Sequence, residues 1–156
     1  MISTLDAEVF ARYAAEAAFL WSVRHGAVVD PTHDLSSLCQ LDERIEAHLA
    51  GLALAGEAAW EICEAELAEA EPGSLFVAMQ LAVGQGHLAR VARVLDAWGG
   101  EPRLGRPLVS ALGWLPLEQV QPILPGLLFR RCAAALHYLG IGAAALHRQD
   151  PGPALA

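Results

Sequence analysis

The stretch "LCQLDERIEAHLAGLALAG", residues 38–56, decides the fold class. Leu38, Leu41, Ile45, Leu49 and Leu52 recur at intervals of three and four, which places them on one face of an α-helix and the charged residues between them on the other. A strand would need alternation with period two, and none is present. The spacing therefore predicts a helix over about Leu35–Ala55 with one buried stripe, opened by a cap from Asp34 or Ser36.

The segments on either side read the same way. "STLDAEVFARYAAEAAFLWSVRHG", residues 3–26, has Ser3 or Thr4 to cap it and Asp6 in the first turn. Val9, Tyr13, Ala17, Leu20 and Arg24 form a helical stripe, and Gly26 suits the end. Pro31 in "VVDPTHDLSS" keeps the residue before it out of helical geometry and separates the first two helices. A third helix, about Glu57–Ala70, directs Trp60, Cys63 and Leu67 inward and carries Glu61, Glu64, Glu66, Glu69 and Glu71 outward, up to the break at "EPG".

Beyond residue 72 the helices shorten. "SLFVAMQLAVGQG" is followed by "HLARVARVLDAWGG", "GRPLVSALGWLP" by "LEQVQPILPG", and "LFRRCAAALHYLGIGAAALHRQ" by "DPGPALA". An offset of 29 residues lays Leu117 on Leu88, Val120 on Val91, Leu124 on Leu95 and Ala111 on Ala82. Short antiparallel pairs repeating at about thirty residues are the signature of an α-solenoid, because a pair that cannot cover its own apolar face must stack on a neighbour; a single irregular bundle is the alternative. The expectation is an all-α chain packed as one unit, with an amino-terminal helical segment over 1–72 and HEAT-like helix pairs over 73–156. Pro151 then opens a further helix, so the chain is expected to be cut inside its last pair, leaving an apolar face through which it could form a homodimer.

Composition narrows the functional classes. The chain has 156 residues, 54% of them hydrophobic, one domain's worth of core. Its ten basic residues are all arginine and face eighteen acids, for a net charge of −8. That field repels phosphate backbones, so nucleic acid is not an expected partner. Cys39, Cys63 and Cys132 form no CxxC pair and are expected to be reduced, packed thiols. The amino terminus lacks the pattern of a signal peptide, and the most apolar run is shorter than a membrane span and contains His137, so the expected address is the cytoplasm, away from membranes.

"EAAFLWSVRHGAV", "LSSLCQLDERIEAHLAGLALAGEAAWEIC", "LVSALGWLP" and "LGIGAAALHRQDPGPAL" resemble a family of bacterial proteins of unknown biochemical function, in which HEAT-like repeats follow an amino-terminal helical region. Its members are longer than this chain and are often encoded near type VI secretion genes. The resemblance covers most of the chain, with "LDERIEAHLAGL" its most specific part. It implies a helical-repeat fold and a secretion context, and supplies no catalytic residues to carry over.

Among residues that bear chemistry, Asp42, Glu43, Arg44 and His48 are the densest group. One helix offers at best two convergent donors from it, so an ion-pair seam is the expected role; a metal or acid–base site would need His25 or His33 as well. Trp21 and Arg24 share a face of the first helix. Arg24 can pair with Asp42 or Glu43 and stack on Trp21, as a structural clasp or as part of a partner surface. The six glutamates of "GEAAWEICEAELAEAEPG" are either a solvated face or a docking face for a basic partner. His87, His137 and His147 are read as core or cap residues. "GQGH", residues 84–87, lacks the spacing, lysine and strand of a phosphate loop, and Ser110 lacks the flanking glycines of a nucleophile elbow.

The expected function is therefore non-enzymatic, with no cofactor, metal or catalytic residue: a scaffold or adaptor accessory to type VI secretion that binds another protein, a secretion component or a toxin. A toxin-neutralising protein is the first alternative, and a metal-dependent enzyme built on Asp42, Glu43 and His48 the second. Nothing in the sequence supports a lipid or small-molecule pocket.

Overall fold

The computed structural model describes residues 4–129 and 133–151. α1 runs Thr4–Ala27 and α2 runs Leu35–Ala55. Asp34 caps α2 by accepting from the Ser37 N–H at 2.8 Å. Gly56, at φ +60°, turns the chain from α2 into α3, Glu57–Glu66, without a loop, a conformation open chiefly to glycine. A 3₁₀ turn, Leu67–Glu69, carries α3 to α4, Pro72–Gly84. Then come α5 (Leu88–Trp98), a 3₁₀ turn at Pro102–Leu104, α6 (Gly105–Trp114), α7 (Leu117–Val120), α8 (Leu124–Leu128) and α9 (Ala134–Leu146). The described residues are all-α, with nine helices and no strand.

α4 organises the rest. Every residue from Gly73 to Val83 is buried, and α1, α2, α3, α5, α6 and α7 all pack against it. A helix without a polar face has nothing to offer water, so it belongs at the centre, where the other helices turn their stripes inward. α1 comes so close that a Cβ on Gly73 would run into the Ala18 carbonyl group. Gln80 is the one long polar side chain at this centre, and its Nε2 donates to the Ala111 carbonyl at 2.8 Å. That carbonyl and the Leu112 carbonyl lie in the last turn of α6, where intrahelical donors run out; His147 Nε2 donates to the second at 2.8 Å. One apolar core results, continuous from Ala14 to Ala144.

Stacked HEAT-like pairs are not shown among the described residues. In a solenoid each pair touches only its neighbours, whereas α4 touches six helices at once. The 29-residue register brings Val91 and Val120, and Ala82 and Ala111, into the core, but Leu88 is exposed where Leu117 is half-buried. The run "LEQVQPILPG" also breaks into α7 and α8 across a turn at 121–123, because Pro122 cannot donate within a helix. Residues 152–156, where a further helix was expected, lie outside the described residues, as does Cys132.

Candidate functional site

Two features on neighbouring faces of α1 bring functional side chains together. The first is the expected clasp. Arg24 reaches across to α2 and grips Asp42 with two bonds, Nε to Oδ1 at 2.8 Å and a terminal nitrogen to Oδ2 at 3.4 Å, an arrangement that fixes the crossing of α1 and α2. Its aromatic partner differs from the expected one: the guanidinium lies 5.6 Å from the ring centre of Trp114 on α6, not over Trp21. Trp21 is turned inward, 3% exposed, stacked between Phe76 at 5.3 Å and His25 at 5.1 Å. Its Nε1 donates to Ser110 Oγ at 3.0 Å, so Ser110 serves as an acceptor that lets a tryptophan be buried. Phe76 meets Trp114 edge-on at 5.4 Å and completes the cluster.

The remaining residues of the Asp42 group have different partners. Glu43 accepts from Cys39 Sγ at 3.8 Å on the outer side of α2, and Arg44 is exposed. His48 pairs with Glu16 of α1 at 3.0 Å and rests on Tyr13. Asp42, Glu43 and His48 are thus each directed elsewhere, and among the described residues no three metal-ligating side chains converge. His33 contacts Ser37, and His25 is held on Trp21. Cys63 is buried, its thiol pushed up to about 12 by burial and then by Glu66. Cys39 is exposed, contrary to the packed thiol expected of it: it falls outside the stripe of α2, and Glu43 raises its pKa.

The second feature is a groove of about 530 Å³ between α1, the end of α3 with its 3₁₀ turn, and the start of α4. Ala15, Ala18, Ala65 and Ala68 line it, and Phe19 beside them is 67% exposed. Glu66, Glu69 and Glu71 line it. These are half of the six glutamates of the acidic segment, and the segment divides by function. Glu57 is taken by Arg90 and Glu64 by Arg93, at 2.8 Å, which ties α3 to α5 while Arg90 stacks on Trp60. The three that face the groove have no ion-pair partner among the described residues. Burial pushes the Glu66 carboxyl above the ordinary glutamate range.

The groove was not found from sequence. The alanines that line it are scattered over α1, α3 and the 3₁₀ turn after α3, and only the packing of these elements brings them together. No protein-family model, curated protein or solved structure matches the chain. No helix among the described residues is long and apolar enough to cross a membrane.

Proposed function

We propose that the protein is a non-enzymatic protein-binding module, and that the groove along α1 receives a basic, helical segment of its partner. The observation that carries this reading is the groove's composition: four alanines, one large exposed aromatic side chain, and three carboxylates with no ion pair among the described residues. Small residues let another helix approach closely, an exposed phenylalanine is a ready anchor, and carboxylates without an ion pair favour lysine or arginine on the incoming segment, although Glu71 also accepts from the Ser74 N–H as the cap of α4. The internal pairing of Glu57 and Glu64 sharpens the argument, because three of the four remaining glutamates of the segment line the groove and only Glu61 lies away from it.

The wider setting, an adaptor accessory to type VI secretion in a protein with HEAT-like affinity, rests on the resemblance of "LDERIEAHLAGL" and the other segments. A toxin-neutralising role draws on the same acidic lining, with the groove covering a basic active site. The test is affinity capture of a partner by the tagged protein, run beside Ala65→Trp, which fills the groove from an exposed position on α3. The proposal expects a stoichiometric partner whose capture weakens with salt and is lost with Ala65→Trp. Capture at the same yield by both forms, or no stoichiometric partner, contradicts it. Growth rescue from the captured partner's toxicity distinguishes antidote from adaptor.

A further inference from the structure

A second, smaller pocket, of about 260 Å³, lies between the last turns of α1 and the starts of α4 and α6. Trp21, His25, Pro72, Arg103 and Arg106 line it, and no carboxylate does. In a chain of net charge −8 that is an unusual concentration of positive charge. The ion pairs of the molecule make it more so: Arg24, Arg90 and Arg93 are matched to Asp42, Glu57 and Glu64, whereas Arg103 and Arg106 have no ion pair among the described residues. Glu101, the acid nearest in sequence, directs its carboxylate to the backbone N–H of Arg103 at 3.4 Å.

The third polar group is held in place. His25 is stacked on Trp21 with ring planes 11° apart, and Trp21 is itself anchored by its bond to Ser110. Burial, then the charges of Arg106 and Arg24, keep the His25 pKa below its ordinary value of 6.5. At neutral pH it is an uncharged imidazole that can donate one N–H, while the arginines supply the charge. Pro72 and Pro107, in the first turns of α4 and α6, close the pocket wall without offering an N–H, so the positive charge in it comes from the two arginines. The volume falls below the roughly 300–1,000 Å³ of sites for drug-sized ligands, so the occupant is small.

We infer that this pocket binds a phosphoryl group, as free phosphate or as the end of a small phosphate ester, with Arg103 and Arg106 on its oxygens and His25 donating a further hydrogen bond. Two guanidinium forks and one N–H donor match a tetrahedral dianion, whose oxygens accept from several directions. This does not depend on the groove reading, although Ser22 borders both sites.

The test is an NMR titration of the full chain with inorganic phosphate and, separately, with glycerol phosphate, at constant ionic strength. The signals followed are the Arg103 and Arg106 guanidinium N–H groups, the His25 ring and the Trp21 indole. Saturable shifts confined to these groups are expected, with affinity about tenfold weaker in Arg103→Gln and in Arg106→Gln and unchanged in Arg12→Gln. Saturation by both probes assigns the site to free phosphate, and by the ester alone to a larger phosphorylated molecule. Unsaturable shifts spread over the surface arginines, no shift at all, or binding that survives both substitutions overturns the inference. Arg103 and Arg106 are exposed and make no side-chain hydrogen bond among the described residues, so the variants are expected to fold.

Discussion

α2 and α4 are both rich in leucine and alanine, and the fold uses them in opposite ways. α2 buries Ile45 and Leu52 along one stripe and leaves Leu54 91% exposed, while α4 is buried from Gly73 to Val83 without interruption. Polar residues make the difference. Between its leucines α2 carries Asp42, Glu43, Arg44 and Glu46, which must reach water or a partner; α4 carries only Ser74 and Gln80, and both are satisfied internally. A stripe orients a helix on the surface of a core. A run with no polar face makes the helix the core, and its neighbours then arrange themselves around it.

The sharpest way to break this comparison is to empty the centre. Phe76→Ala, at a position with no exposure, is expected to lower stability by about 3–5 kcal/mol in urea denaturation, since it removes transfer energy and leaves a cavity beside Trp21 and Trp114. Leu54→Ala on α2 is expected to stay within about 0.5 kcal/mol. Similar losses at the two positions would mean that α4 is not the centre.

Gly73→Ala is next, expected to destabilise by about 1–3 kcal/mol, because the obstacle is the backbone of Ala18 and not a side chain that can swing away. Helix propensity alone predicts the opposite sign, a gain of about 1 kcal/mol, so the direction of the change decides whether α1 lies against α4 as described.

Arg24→Ala is expected to cost about 1 kcal/mol; the pair with Asp42 is roughly one-third exposed on each side, so solvent screens part of its attraction. A double-mutant cycle with Asp42→Asn isolates that coupling from the packing of Arg24 on Trp114, and zero coupling would remove the clasp.

The first three helices were legible in the sequence because each announces itself locally. Asp34 caps α2, Gly56 ends it, and Trp60, Cys63 and Leu67 are buried as their spacing requires. The pairing of Arg24 with Asp42 was legible for the same reason, as two oppositely charged residues on adjacent predicted faces. What escaped depends on tertiary approach. "PGSLFVAMQLAVG" read as the first helix of a repeat, although its lack of any polar face was the available sign of a central helix. Trp114 as the platform for Arg24, Ser110 as the acceptor for Trp21, and the meeting of Arg103 and Arg106 with His25 all join residues more than seventy positions apart, and no local pattern encodes them.

The smallest expected effect concerns the charge of the groove. Burial raises the Glu66 pKa above its ordinary 4.5, so the folded chain holds this proton at pH values where the unfolded chain has released it. Its favourable contribution is complete below the unfolded value and is lost as pH rises through the folded one. Glu66→Gln should therefore match the wild type below that range and unfold at a slightly higher temperature above it. Identical melting curves across the range would show that Glu66 is not buried in the groove wall.

Native-state hydrogen exchange on the full chain tests the central claim most directly, because it reads the stability of every helix separately. With α4 at the centre of one core, the amides of α4 and of the faces of α1 and α6 against it should exchange only through global unfolding, with a common free energy equal to that from denaturation. A stepwise series of free energies along α4 to α9, one value for each helix pair, would contradict this account and restore the stacked repeat.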